Sequence, residues 1–146
     1  MKINRKNKTN LVDQTSLKVR FSEVDSMQIV WHGNYPKYFE DGRESFGKKY
    51  GIGYMDIYKE SYLAPIVELN CQYKQSLRYG DTAIVTTTYL FNESAKIEFD
   101  FVITREYDSA IIATGSSMQV FLKDNELVLN NPQFYQEWKK KWGIIE

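Results

Sequence analysis

The chain of 146 residues has only one cysteine and one histidine, and this scarcity limits the chemistry it can perform. With Cys71 alone, no disulfide can form within the chain. One histidine and one cysteine cannot supply a typical zinc site, so we expect no metal. The sequence also has no glycine-rich phosphate loop and no G-x-S-x-G elbow, which argues against nucleotide-dependent and serine-hydrolase chemistry.

Excess charge and long apolar runs are also missing. The 19 basic residues balance 19 acidic ones, so no overall field attracts nucleic acid. No apolar run approaches the roughly 20 residues that span a bilayer. Residues 1–10 are rich in lysine and arginine, but the apolar segment that a signal peptide requires does not follow them. We therefore expect a cytoplasmic protein with one domain, residues 17–146, preceded by a flexible tail, residues 1–16.

Aromatic residues are abundant, and many of them fall at helical spacing in residues 35–50. Pro36 suits the first turn of this helix, and Gly51 suits its end. Gly42 lies on the apolar stripe, which predicts a close approach to another backbone. A second short helix is expected over residues 53–59. The stripe itself consists of Tyr35, Tyr38, Phe39, Gly42, Phe46 and Tyr50.

Beyond Pro65 the apolar period changes from that of a helix to two, which indicates strands. Residues 67–74 alternate as a half-buried strand does, and short connections between successive strands imply antiparallel pairing. Asn131 can cap a last helix that carries Phe134, Trp138 and Trp142 on one face. The expected class is α+β, with about five antiparallel strands packed on one helix. The strands are expected at residues 17–21, 67–74, 83–91, 97–104 and 111–122.

The candidate catalytic residues lie just before the long helix. Asp25 and His32, the only histidine, are seven residues apart, and Asn34 and Tyr35 follow. The start of a helix offers unpaired N–H groups and a partial positive charge. A carboxylate facing these groups could act as base or nucleophile while the N–H groups hold an oxyanion. This arrangement predicts acyl-transfer chemistry.

Residues 25–35, followed by residues 38–40 and 43–44, resemble the N-terminal signature of hotdog-fold acyl-CoA thioesterases of the 4-hydroxybenzoyl-CoA thioesterase family. Residues 65–71, 79–81 and 113–121 resemble the later strands and turn of the same family. The resemblance implies a hotdog fold, an antiparallel sheet wrapped around a central helix, here with an added C-terminal helix. It also implies an acyl-CoA substrate, no cofactor, and assembly as a homodimer or homotetramer.

Site residues can be carried over from the resemblance one by one. Asp25 falls on the family's catalytic carboxylate, which is nucleophile or general base, and His32 falls where a backbone N–H polarises the thioester carbonyl. A histidine at this position resembles the branch associated with the Tol–Pal system. That branch often has tyrosine where Phe21 stands, so a phenol hydroxyl is missing here. Asn34 and Tyr35 would contact substrate.

Other interpretations remain open at this point. Asn34 could instead cap the helix, and Glu68 is a weaker candidate for an active-site carboxylate. The acyl carrier could be acyl carrier protein rather than CoA. A hotdog domain could also bind acyl thioesters without turnover, although a binder has no need of Asp25 near the carbonyl. Dehydration of hydroxyacyl thioesters fits less well, because the catalytic residues of that hotdog group are arranged differently.

Overall fold

A computed structural model describes residues 11–146 of the chain. Two short 3-10 turns, Phe21–Glu23 and His32–Asn34, lie between the first strand and the long helix. Within the described residues, no helix is both long enough and apolar enough to cross a membrane. The strands and helices are β1 Val12–Lys18, α1 Tyr35–Tyr50, α2 Tyr54–Tyr58, β2 Ile66–Tyr73, β3 Thr82–Tyr89, β4 Lys96–Arg105, β5 Ile111–Lys123, β6 Glu126–Val128 and α3 Gln133–Lys141.

The strands form one antiparallel sheet in the order β1-β3-β4-β5-β2, and β6 pairs with the end of β5. Helix α1 packs across β1, β3 and β4. Phe39 of α1 stacks on Phe101 of β4 at 4.8 Å between ring centroids, and Phe46 meets Phe99 edge-on at 4.8 Å. The predicted α+β architecture, a sheet around a central helix with a C-terminal helix, is confirmed. The sheet has six strands rather than about five.

The first strand begins earlier than the sequence predicts. β1 pairs with β3 from Val12↔Thr88 to Lys18↔Thr82, whereas we expected a strand over residues 17–21 after a tail. Residues 12–16 therefore belong to the sheet, and their assignment to the tail is wrong. The sequence did not predict this strand because polar residues, Asp13, Gln14 and Ser16, interrupt its apolar pattern. Backbone hydrogen bonds to β3 hold the strand, and polar residues form these bonds as well as apolar ones do. The remainder of the predicted tail, residues 1–10, lies outside the described residues.

Helix α1 has the predicted bounds. Gly51, at φ +73°, ends it by donating its N–H to Gly47 O. Helix α3 then covers this end, because Trp138 and Trp142 both donate their indole N–H to Tyr50 O, at 2.7 and 3.0 Å. These two bonds satisfy a carbonyl in the last turn of α1.

The buried face of α3 differs from the expected one. Tyr135, Trp138 and Lys139 are buried, while Phe134 and Trp142 are only half-buried. Asn131 does not cap the helix with its side chain. Its amide donates to Glu93 O instead, and its side-chain oxygen accepts from Lys139 Nζ.

Strand β2 is more exposed than predicted. It pairs only with β5, so it forms an edge of the sheet, and α1 packs over β1, β3 and β4. Val67, Leu69 and Tyr73 are 55%, 43% and 50% exposed. The expectation of a half-buried strand is wrong for the isolated subunit, in which Cys71 packs against the core but Val67, Leu69 and Tyr73 stay largely exposed.

Candidate active site

The loop between β1 and α1 is folded into a short closed hairpin. Val24 and Val30 form an isolated antiparallel bridge, and Trp31 N donates to Glu23 O at 2.9 Å. Asp25 N donates to Ile29 O at 2.9 Å, so Asp25 lies at the tip of the hairpin. Gln28 completes the turn in the left-handed region, at φ +66°. The loop is therefore an ordered element that can hold a side chain in place.

The Asp25 carboxylate helps to build this turn. Its Oδ1 accepts a hydrogen bond from Met27 N at 2.8 Å, the pattern of an Asx turn. Turn formation is the commonest role of an aspartate in such a loop, and here it engages Oδ1. Within residues 11–146, no hydrogen bond of the turn uses Oδ2. This second oxygen is therefore the one available to a ligand.

The start of α1 is tied to the same loop. Asn34 is buried, and its Nδ2 donates to Glu23 O at 2.9 Å, so Glu23 O accepts both this amide and Trp31 N. Asn34 makes no side-chain cap of the helix. The capping interpretation is therefore wrong, and the side chain positions the loop. A substrate contact by Asn34 stays a prediction.

His32 opens the 3-10 turn that leads into α1. Residues at the start of a helix have N–H groups without an intrahelical partner, and His32 and Gly33 occupy these positions. The exposed imidazole of His32 lies against Trp31, at 5.1 Å between ring centroids, and edge-on to Tyr73, at 6.0 Å. The site therefore combines free N–H groups with an accessible imidazole.

Tyr35 is 2% exposed and anchors the helix start to the sheet. Its hydroxyl accepts from Leu77 N at 3.1 Å, and its ring lies 5.7 Å from Tyr73. Burial raises the pKa of Tyr35, and the negative charge of Asp25 adds to this effect. The group that feels this charge is the Tyr35 hydroxyl at Leu77. Like Asn34, Tyr35 directs its polar atom to the backbone, so its contact with substrate also stays a prediction.

Strand β2 contributes Tyr73, a site residue that sequence reasoning missed. Tyr73 touches both His32 and Tyr35, yet it is distant from them in the chain, and its alternation in β2 indicated only an apolar face. Cys71 lies on the same face, and burial raises the pKa of its thiol. A half-buried thiol with a raised pKa is a poor nucleophile, which agrees with the interpretation of Cys71 as a small hydrophobic residue.

Glu68 does not join this site. It is five residues from Tyr73 along β2, which corresponds to about 17 Å and to the opposite face of the strand. It pairs with Met118 on that outer face. The prediction that Glu68 is a second active-site carboxylate is therefore wrong within one subunit. Within residues 11–146, no three His, Cys, Asp or Glu side chains are placed to hold a metal ion.

Comparison with known families decides where this fold and loop belong. The family model of the thioesterase-like superfamily matches residues 19–139, which include the whole loop and all of α1. The chain belongs to this superfamily. The predicted hotdog fold is also confirmed, since the sheet wraps around the central helix α1 as it does in thioesterases of that fold.

Individual relatives of this thioesterase-like chain agree with the family. A Bacillus subtilis protein with the provisional name acyl-CoA thioesterase YneP is 42% identical over 76 residues, 52% of this chain and 55% of the relative. The match thus spans about half of that protein. The Arabidopsis thaliana chloroplast protein named acyl-acyl carrier protein thioesterase ATL3 is 28% identical over 113 residues, 77% of this chain and 59% of the relative.

A solved structure resembles most of the chain. The DHNA-CoA thioesterase from Staphylococcus aureus superposes with a TM-score of 0.80 at 25% identity, covering 90% of this chain and 88% of that one. These relatives are named for different acyl groups and carriers. They therefore support the reaction type more strongly than any one substrate.

Proposed function

We propose that the protein hydrolyses an acyl-CoA thioester to the free acid and CoA, without a metal or other cofactor. The observation that carries the proposal is the closed loop that fixes the Asp25 carboxylate in its own turn directly before the helix start, where His32 and Gly33 present their N–H groups. Membership of the thioesterase-like superfamily supports the reaction type. His32 favours the histidine-containing branch of the hotdog thioesterases.

The mechanism follows from these groups. The thioester oxygen accepts hydrogen bonds from N–H groups at the start of α1, which stabilise the negative charge that develops on it. Asp25 takes a proton from water as the water oxygen attacks the carbonyl carbon. The C–S bond then breaks, and the proton passes to the leaving CoA thiolate. In the alternative route Asp25 attacks the carbonyl itself, the C–S bond breaks to release CoA thiolate, and water hydrolyses the resulting anhydride to the free acid and the Asp25 carboxylate.

The decisive variant is Asp25→Asn. It keeps the size of the side chain and an oxygen for the turn but removes the negative charge. The kcat on the best acyl-CoA should fall by about 10²- to 10⁴-fold in a folded protein. His32→Ala should cost less, because the backbone N–H of residue 32 remains available to the carbonyl. Release of CoA, followed with a thiol reagent, measures both.

Asp100→Asn is the matched control, since Asp100 is exposed on β4 outside the site. It should leave turnover unchanged. Near-full turnover of Asp25→Asn would overturn the mechanism. If the wild type binds acyl-CoA without releasing CoA, the protein is a binding module. If it cleaves only thioesters of acyl carrier protein, the proposal of CoA as the acyl carrier is wrong.

We also propose that two copies pair along β2 to form a homodimer. An edge strand presents unpaired backbone N–H and C=O groups, and a second β2 would satisfy them. The same pairing would cover the exposed side chains of Leu69 and Tyr73. Because Tyr73 touches His32, each catalytic loop would then lie close to the interface.

A further inference from the structure

A large cavity lies beside the C-terminal half of α1, away from the catalytic loop. Its volume is about 820 Å³, within the size range of small-molecule sites. Part of α1, helix α2, residues 62–66 and side chains of β4 and β5 line it. The walls are mostly apolar and include Ile57, Ala64, Ile66, Phe99 and Leu122. The size and the lining suit a flexible hydrocarbon.

A single amide orders one wall of this cavity. Gln119 on β5 is 6% exposed and donates its Nε2 to Ala64 O at 2.7 Å. The bond ties residues 62–66 to the sheet, so this wall is part of the fold. Leu63 pairs with Leu122 through backbone hydrogen bonds of 3.0 and 2.8 Å and holds the same segment from its other side.

The charged lining of the cavity disfavours an anionic ligand. Two cations, Arg43 and Lys48, face four carboxylates, Glu40, Asp41, Glu44 and Asp56, so the net charge of this lining is −2. Arg43 is paired with Glu40, and Lys48 with Glu44. Neither cation is therefore free for the phosphates of CoA. An uncharged apolar group fits these surroundings, and the CoA moiety does not.

The cavity lies along the helix from the proposed reaction centre. Helix α1 begins at Tyr35, and the cavity meets it from Glu40 to Lys48. At 1.5 Å per residue, the cavity starts about 9 Å from Asn34 and ends about 21 Å from it. An aromatic ring attached directly to a carbonyl at the helix start would not extend that far, whereas an alkyl chain would.

Apolar side chains of β2 lie between the two places. A Cβ at Gly115 would lie 2.5 Å from the ring of Phe39, so the helix-facing side of β5 is the side of Gly115. Cys71 is the register partner of Gly115, and Leu69 is the partner of Ser117 on the same face. These side chains, together with Tyr73, follow β2 from His32 towards the cavity.

We infer that the cavity receives the far end of an aliphatic acyl chain, so that the substrates are straight-chain acyl thioesters of medium to long length rather than aryl ones. This inference rests on the proposed thioesterase function and names the acyl class for it. Each methylene that enters the cavity should tighten binding by about two- to fourfold, the effect of burying one CH₂ group.

A chain-length series tests the inference directly. The KM of the wild type should fall stepwise from butanoyl-CoA to lauroyl-CoA and palmitoyl-CoA once the chain reaches the cavity, and benzoyl-CoA should be a poor substrate. Chain-independent KM values, or a preference for benzoyl-CoA, would overturn it.

Filling the cavity tests its location. Ala64→Phe should raise the KM for lauroyl-CoA at least tenfold and leave that for butanoyl-CoA unchanged. Leu127→Phe adds a ring at an exposed position outside the cavity and should change neither. Because Ala64→Phe could disturb folding, Leu63→Trp, at a wall position that is 41% exposed, serves as a second variant. If both variants fold and neither affects lauroyl-CoA, the chain lies elsewhere.

Binding of uncleavable S-alkyl-CoA thioethers separates this inference from the proposed function. If no thioester is hydrolysed but dodecyl-CoA binds more tightly than butyl-CoA, and Ala64→Phe removes the difference, the cavity assignment stands and the proposed hydrolysis fails. If thioesters are hydrolysed but the two thioethers bind equally, the cavity assignment fails and hydrolysis stands. Isothermal titration calorimetry provides these affinities.

Discussion

Gly42 and Gly115 set the distance between α1 and the sheet. A Cβ at Gly42 would lie 2.5 Å from Thr87 Oγ1 and 2.6 Å from Val85 Cγ1. A Cβ at Gly115 would meet Asn70 O at 2.3 Å as well as the ring of Phe39. The close approach predicted for Gly42 thus involves side chains of β3, where we had expected backbone. Because glycine has no side chain, the helix can lie close to the strands at these two positions.

Gly42→Ala should therefore destabilise the protein. Alanine favours a helix over glycine by about 1 kcal/mol, but overpacking in a core costs about 1–3 kcal/mol. We expect the free energy of unfolding, measured with urea, to fall by up to about 2 kcal/mol. Lys37→Ala, on the exposed side of α1, is the control and should be close to neutral. A Gly42→Ala protein more stable than wild type would show that the sheet yields at this point.

At the scale of elements, α3 contains a fully buried lysine. Lys139 Nζ donates to Asn92 O at 3.0 Å, to Ser94 O at 3.2 Å and to Asn131 Oδ1 at 3.2 Å. It also lies 4.3 Å from the centre of the Tyr135 ring. These contacts fasten α3 to the turn between β3 and β4. Burial lowers the pKa of Lys139 to about 8, although the charge of Glu93 opposes the shift.

The pKa of Lys139 predicts how stability depends on pH. In the unfolded chain the ammonium keeps its proton to its ordinary pKa of 10.5, so from about pH 8 upwards the unfolded state binds more protons than the folded one. The contribution of Lys139 to the free energy of unfolding therefore rises with pH in this window. Above about pH 10 buried Tyr89 and Tyr135, whose pKa values burial raises, act in the opposite direction.

Thermal midpoints between about pH 7 and pH 10 measure this dependence. The wild type should gain stability over Lys139→Met as the pH rises beyond 8, whereas Lys140→Met, at an exposed position of the same helix, should follow the wild type. Parallel profiles for wild type and Lys139→Met would mean that the ammonium is already deprotonated or well solvated.

The elements differ in how far the sequence predicts them. The 16 residues of α1 and the strands β3 to β5 were predictable because their apolar periods are regular. β6 was missed, although Asp124 and Asn125, both at positive φ, are suitable residues for a two-residue hairpin turn. Lys139 is one of three consecutive lysines in the sequence, and its burial could not be predicted because only the folded turn brings carbonyls to its ammonium.

The candidate site shows the same contrast. Asp25 and His32 could be proposed because they lie in one local pattern, and membership of the thioesterase-like superfamily is confirmed. Tyr73 and the cavity could not be found, because each depends on packing between segments distant in the chain. The hydrogen bond from Asn34 to Glu23 O also needs the closed hairpin, which the sequence does not reveal.

At the scale of the whole molecule, the exposed face of β2 predicts self-association. Light scattering at micromolar concentration should give a dimer or a larger homo-oligomer. Leu69→Lys should shift the population towards monomer, because a charge would replace an apolar contact at the paired edges. Leu127→Lys, at an exposed position on β6, should leave the mass unchanged. A wild type that is strictly monomeric would exclude the dimer.

The three tryptophans are divided between the two ends of α1, and this makes the protein its own optical probe. Trp31 is 49% exposed beside His32, whereas the indoles of Trp138 and Trp142 are bonded to Tyr50 O, about 24 Å away along the helix. Iodide should quench the emission of Trp31 first, and a ligand at the loop that holds Asp25 should protect it. In Trp31→Phe the remaining fluorescence would report unfolding of α3 and the end of α1, without a contribution from this loop.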